Sequence, residues 1–392
     1  MPKHFPWLVS ELDKLRQKNL VRIRRSVTPL ANGWCSIKGR KLRNFASNDY
    51  LNLAHDRRVI EAARNVLESA GVGSGASAMV TGRTKWHAQL ETRLAQFEGH
   101  PATVLFPTGY AANVGTIGSL IGSADVVFCD RLNHASLVDG CRLSEATFRV
   151  YRHDNLIRLE RELSNSSEYG RRLIVTDSIF SMDGDIAPLK ELCDLADRYD
   201  ATVLVDEAHA TGVFGPRGRG VAEWLHVEDR VAVRIGTLGK AIGSLGGFVT
   251  GSKHLIDWLW QRARTQMYST ALPPSVCAAA CAAVDIIEAE PERRQQLLEL
   301  ADTLRIELAR SNILVAPNSV GPIVPVIIGD PDATLTAADM LEQQGFLVAA
   351  IRPPTVSAGT SRLRVTLNCA HTKNDVNQLL EALSQILAPI RT

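Results

Sequence analysis

Residues 171–209 read RRLIVTDSIFSMDGDIAPLKELCDLADRYDATVLVDEAH. Two apolar runs of strand length, RRLIVTDS (171–178) and ATVLVDEAH (201–209), flank an amphipathic stretch between them. The alternation extends outward, to ATVLF (102–106) and DVVF (125–128) on one side and to VAVRIGT (231–237) and GGFVTG (246–251) on the other. Strands that alternate with helices predict a largely parallel sheet covered on both faces, hence an α/β domain, here assigned to 46–270. Upstream, Thr84 is placed to cap a helix whose Leu90, Leu94 and Phe97 share one face and which ends at Gly99. The first 45 residues read as an arm, with Leu8, Leu12 and Leu15 at helical spacing followed by the basic cluster Arg22, Arg24 and Arg25. Beyond Thr270 a smaller α+β domain (271–392) is predicted. It has helical patterns over 275–311, strands at GPIVPVII (321–328), FLVAAI (346–351) and RLRVTL (362–367), a helix near 333–344 and a closing helix.

The chain has 392 residues, 45% hydrophobic and 22% charged, enough for two or three domains and a sizeable core. Its 44 basic and 42 acidic side chains leave a formal charge of +2, so no long-range field recruits nucleic acid or an acidic membrane surface. Seven cysteines form no CxxC pair and no metal-spaced set, which predicts a reducing compartment and no metal site. Charges interrupt the opening MPKHFPWLVSELDKLRQ, and no apolar run of about 18 residues occurs, so a cytoplasmic chain is expected.

In open α/β sheets ligands collect at the carboxyl ends of strands. Lys240 lies just past one, in the glycine-dense IGTLGKAIG. A Walker A loop is excluded there, because Arg234 occupies its first glycine position and Ala241 its Ser or Thr. Lysine at a random position is usually a surface group, but one held in a tight loop can form a Schiff base with a carbonyl compound. Asp206 ends the apolar run of VLVDEAHATG, with His209 three residues on. A buried carboxylate needs a cationic or hydrogen-bonding partner, and a ring nitrogen cation suits it; a magnesium-binding pair with Glu207 or a plain helix cap are the competing readings. LFPTGYAANVGT sets Gly109 and Tyr110 at a helix start, where free amides accept a phosphate. CDRLNHASLVDG places His134 at another helix start, and TDSIFSMDGD supplies Ser181 and Asp183 in a loop. Each feature except Lys240 is bland alone. Together they fit pyridoxal phosphate: an amine, a carboxylate for the ring nitrogen, an imidazole to stack and amides for the phosphate.

At this point the sequence resembles the α-oxoamine synthase family of fold-type I pyridoxal phosphate enzymes, from about Arg22 onward. The resemblance rests on SNDYLNL (47–53), GSGASAMVTG (73–82), HASL (134–137), FSMDGD (180–185), DEAHATG (206–212), GTLGKAIG (236–243), YSTALPP (268–274) and IRPPTVSAGTSRLR (351–364). It implies a large domain with a mostly parallel seven-stranded sheet, a small C-terminal domain, and a homodimer with shared active sites. The implied reaction is decarboxylative condensation of an amino acid with an acyl-CoA or acyl carrier protein. YSTALPP and IRPPTVSAGTSRLR point to the branch that joins L-alanine to a pimeloyl thioester, the lysine loop to a glycine-using branch. By the same resemblance Lys240 carries the cofactor imine, Asp206 pairs with the pyridinium nitrogen, His209 contacts the ring hydroxyl and His134 stacks on the ring. Gly109 and Tyr110, with Thr237 and Ser178, hold the phosphate, and Ser181 contacts the ring. Ser269 and Thr270 reach the phosphate of the neighbouring subunit. Arg352 holds the amino-acid carboxylate, and Arg22, Asn48 and Thr355 line the acyl side. The pattern departs at Asn52, where the family commonly has glycine, and at Ala76, Ala78 and Met79, where Gly, Gly and His are frequent.

Overall fold

The computed structural model describes residues 4–388. They fall into two compact units, one of Asn48–Ser181 with Asp185–Gln296, the other of the residues up to Ser47, Met182–Gly184, and those from Leu297 onward.

The second of these units carries strands β1 (Thr28–Leu30), β2 (Trp34–Ile37) and β3 (Arg40–Asn44). The larger unit holds β4 (Ala102–Phe106), β5 (Val126–Asp130), β6 (Thr147–Tyr151), β7 (Arg172–Asp177), β8 (Thr202–Asp206), β9 (Val233–Thr237) and β10 (Gly247–Gly251). Those seven form one sheet in the order β4-β10-β9-β8-β7-β5-β6. All pairs are parallel except those of β10, which runs antiparallel to both β4 and β9. The mostly parallel seven-stranded sheet expected from sequence is therefore present. β6 was not anticipated: TFRVY is an edge strand, half-exposed over most of its length, so no continuous apolar run marks it.

β5 is buried along its whole length, and β7 and β8 are buried at all but their first residue. Burying one Val, Leu or Ile contributes roughly 1.5–3 kcal/mol. A strand of four such side chains offsets the cost of a polar group at its end, which is how Asp177 and Asp206 come to lie buried side by side, paired in register. The helix anticipated after Thr84 runs Lys85–Glu98, with Thr84 and His87 in a reciprocal capping arrangement and Gly99 in the left-handed conformation.

The other unit contains β11 (Ile323–Gly329), β12 (Phe346–Leu347), β13 (Ala349–Ile351) and β14 (Ser361–Thr366). β11, β14 and β13 form an antiparallel sheet, while β12 pairs in parallel with β3 in a second sheet, β1-β2-β3-β12. The single run read at 346–351 is thus divided at Val348 between two sheets. Trp7–Gln17 is helical with no buried residue, and Lys373–Leu387 closes the chain on Val376, Leu379, Leu383 and Ile386.

Candidate active site

The larger unit gathers its polar side chains where β5, β7, β8 and β9 end. Asp206, at the end of β8, is 5% exposed and accepts hydrogen bonds from Asn113 Nδ2 (2.6 Å) and the Ala208 amide (2.8 Å). Both of these donors are neutral. A buried carboxylate in that state has a place for one further cationic donor. Beside it, Asp177 has its pKa raised well above the usual carboxylate range by burial and by the charge of Asp206, against the His134 amide, which donates to it at 2.6 Å.

His134 caps the helix Ala135–Leu143, its Nδ1 accepting from the Ser136 amide and lying 2.7 Å from Ser136 Oγ. Its pKa is lowered by desolvation and by the Lys240 ammonium, against the pull of Asp206, so these three groups share one field. Asn113 Nδ2 also lies 2.8 Å from Ser136 Oγ, which closes a chain from Asp206 through Asn113 and Ser136 to His134. His209 Nδ1 lies 2.6 Å from the hydroxyl of Tyr50, which also donates to Asn48 Oδ1 at 3.4 Å.

Lys240 sits in the turn between β9 and β10. The turn is pinned by the bonds Leu238 N to Gly246 O (2.9 Å), Ser244 N to Leu238 O (2.8 Å) and Gly243 N to Lys240 O (2.9 Å). A Cβ on Gly243, which has φ of +69°, would lie 2.5 Å from the Ala54 amide, so only glycine fits there. The helix Gly109–Leu120 starts behind Thr108, whose hydroxyl accepts from the Ala111 amide. A Cβ on Gly109 would be 3.4 Å from Thr237, so the helix start and the end of β9 adjoin. A Cβ on Gly247 would lie 2.5 Å from Thr108 O and 2.7 Å from Gly109 N. The backbone is therefore brought close at the point where amides are needed for a phosphate.

Of the remaining candidates in this unit, Ser178 is fully buried, with its amide bonded to Asp206 O at 2.9 Å and its hydroxyl beside the Glu207 carboxylate. Ser181 follows Phe180 in a hairpin closed by Phe180 N to Asp185 O. The Tyr110 side chain is half-exposed and donates to Asp139, which leaves its backbone as the group at the helix start. Thr270 is exposed and bridges to Ser77, next to the half-buried Ser269. Asn52 has φ of +52°, a left-handed conformation that asparagine tolerates and glycine prefers, which accounts for the departure at that position. The structure gives no comparable account of Ala76, Ala78 and Met79. Tyr50, Asn113 and Asp177 join this group although the sequence reading did not single them out.

Arg22, Arg352 and Thr355 belong to the other unit. There Arg22 Nη2 donates to Thr355 Oγ1 at 3.3 Å, while Arg352 donates to the carbonyls of Asn19 and Val21. Among the described residues no helix is long and apolar enough to cross a membrane, and no cluster of side chains is arranged to hold a metal ion.

The residues fit pyridoxal phosphate: a buried carboxylate held by two neutral donors, a lysine in a rigid turn and a glycine-tight helix start stand at the ends of neighbouring strands of one sheet. Comparison with known proteins agrees. Residues 40–383 match the family model for aminotransferase class I and II. The 8-amino-7-oxononanoate synthase of Anaeromyxobacter dehalogenans is 48% identical over 381 residues, 97% of this chain and 95% of that protein. The 8-amino-7-oxononanoate synthase 2 of Bacillus subtilis is 44% identical over 380 residues, 97% of each. Among solved structures, a serine palmitoyltransferase of S. paucimobilis with a bound PLP-myriocin aldimine superposes with a TM-score of 0.93 at 30% identity, over 99% of this chain and 98% of that one. The chain belongs to the aminotransferase class I and II family and, within it, to the α-oxoamine synthases.

Proposed function

We propose that this protein condenses L-alanine with a pimeloyl thioester to give 8-amino-7-oxononanoate, releasing carbon dioxide and the thiol, a step of biotin biosynthesis. The reaction class makes it a pyridoxal phosphate-dependent acyltransferase. The observation that carries the reading within the site is Asp206, buried at the end of β8, held by Asn113 and the Ala208 amide and sharing one electrostatic field with Lys240 and His134.

When bound, pyridoxal phosphate supplies an aldehyde for an amine and a cationic ring that takes electron density from a substrate carbon. In this reading Lys240 Nζ would hold that aldehyde, and the same amine would be the base that takes a proton from the amino-acid Cα and returns one. Asp206 would keep the ring nitrogen protonated, beside Asp177, whose carboxyl is pushed well above the usual carboxylate range by burial and the neighbouring Asp206 charge. Asn113 fixes the carboxylate plane, His209, held by Tyr50, reaches the ring hydroxyl, and Ser181 contacts the ring. His134 would lie against the ring and would donate to the thioester oxygen as charge develops there. The amides of Gly109 and Tyr110 bind the phosphate with Thr237 and Ser178. The family resemblance assigns the amino-acid carboxylate to Arg352 and the acyl side to Arg22, Asn48 and Thr355.

A homodimer in which Ser269 and Thr270 reach the partner's phosphate fits the exposure of Tyr268 (71%) and Val80 (75%). A cytoplasmic location is supported by seven cysteines that form no disulfide. The test is a matrix of amino acids against acyl-CoA and acyl carrier protein thioesters, read by thiol release. L-alanine with a pimeloyl thioester is expected to be the most productive pair. Glycine as sole productive donor would overturn the reading and favour a 2-amino-3-ketobutyrate CoA ligase.

A further inference from the structure

His153 takes no part in the proposed chemistry, yet it stands between two carboxylates in the larger unit. Its Nδ1 lies 3.3 Å from Asp130 and its Nε2 3.2 Å from Asp185, and its ring stacks on Phe180 with centroids 4.5 Å apart. The Asp130 side chain is wholly buried, those of His153 and Asp185 about one-sixth exposed. A neutral imidazole has one N–H and would turn a lone pair toward one of the two carboxylates, so this geometry requires the imidazolium. Donation from its two ring N–H groups to Asp130 and Asp185 accordingly raises its pKa to about 10 against the opposing effect of burial.

The two carboxylates belong to different loops. Asp130 ends β5 and caps the turn into the next helix, its Oδ1 accepting from the Leu132 amide and its carbonyl from the Asn133 amide. That turn delivers His134. Asp185 closes the hairpin that follows β7, where Ile179 bridges Ile186 and the Phe180 amide bonds Asp185 O. That hairpin delivers Ser181. One cation, seated just past the edge strand β6, thus ties together the bases of the two loops that carry His134 and Ser181.

We infer that His153 is a positioning residue: as an imidazolium clamped between Asp130 and Asp185 it sets the His134 loop and the Ser181 hairpin at the spacing the cofactor ring needs. The inference rests on the reading of His134 and Ser181 given above. It accounts for a cation at a position where stability alone is served as well by apolar packing, since a partly buried ion pair offers little net stabilisation.

The test uses holoenzyme reconstituted with pyridoxal phosphate. His153→Gln keeps the size and a hydrogen-bond donor but removes the charge. The expected result is stoichiometric cofactor binding with the visible circular dichroism of the bound cofactor at least about halved, and kcat down about tenfold with the amino-acid KM changed less than about twofold. Asp185→Asn gives the same pattern, and the double variant loses no more than either single one, because one clamp is broken in all three. Wild-type dichroism and kcat in His153→Gln, whatever its melting temperature, would overturn the inference; if that variant does not fold, Asp185→Asn is judged by the same criterion. His134→Ala and Ser181→Ala are measured alongside. If neither changes the dichroism, the site reading fails and the inference with it. If both do while His153→Gln does not, only the clamp fails.

Discussion

Asn113 Nδ2 donates to Asp206 Oδ2 at 2.6 Å, in a pocket where both residues are at least 95% buried. The amide sits on the helix Gly109–Leu120, whose start is the one proposed above to bind the phosphate. A hydrogen bond to a charged group contributes about 1.5–3 kcal/mol. Asn113→Leu, similar in volume, is therefore expected to lower kcat/KM about 10- to 100-fold while the protein still folds and binds cofactor. Steady-state kinetics beside a cofactor titration checks this, and an undiminished kcat/KM would mean that Asp206 orients itself.

Lys240→Ala is expected to remove the visible absorbance that the purified protein shows with pyridoxal phosphate. Borohydride reduction followed by peptide mass spectrometry locates the modified lysine directly. Label on any other lysine refutes the assignment.

Asp206→Asn keeps the shape of the site and removes its charge. The cofactor is expected to remain bound while turnover falls at least about a hundredfold, because a ring with a neutral nitrogen is a poor acceptor of electron density. Turnover at the wild-type rate would show that the ring nitrogen pairs elsewhere.

Gly247→Ala tests the close approach of the backbone at the helix start. The added Cβ would stand 2.5 Å from Thr108 O and 2.7 Å from Gly109 N, with only main chain to give way. Cofactor affinity is expected to fall about tenfold or more, equivalent to about 1.4 kcal/mol, in a titration followed by absorbance. Unaltered affinity would place the phosphate away from Gly109.

Acid sensitivity is predicted from His371 in the other unit. The ring is fully buried, stacks on Phe45 at 4.1 Å and accepts from the Asn368 amide at 3.0 Å. Burial, reinforced by the Arg43 charge, lowers its pKa to about 3. The unfolded chain takes up this proton first, so the stabilising contribution is complete above the ordinary histidine pKa of about 6.5 and is lost as pH falls toward 3. Stability is expected to drop by about 1.4 kcal/mol per pH unit in that window, and His371→Asn to flatten the slope. Urea unfolding at pH 7 and pH 4.5 measures both, and equal slopes in the two proteins would contradict the assignment.

Most residues of the proposed site could be named from the chain because each piece is local. Lys240, Asp206, His209, His134 and Gly109 each follow an apolar run that ends within a few residues, and strand ends are where the α/β architecture exposes side chains to a ligand. The family motifs added the roles. β6 escaped because its half-exposed edge position leaves no unbroken apolar run, and the antiparallel course of β10 escaped because a strand's direction leaves no trace in its composition.

The sequence alone determined the α/β sheet and the family and singled out the lysine and carboxylate proposed here, since periodicity, strand-end chemistry and motif order are all properties of neighbouring residues. Only the tertiary structure decided which groups orient them. Asn113 meets Asp206 across 93 residues, Tyr50 meets His209 across 159, and His153 closes on Asp130 and Asp185 from a different strand end. Such pairs are selected by the three-dimensional geometry of burial, where each polar atom must find a partner, and no local pattern announces them.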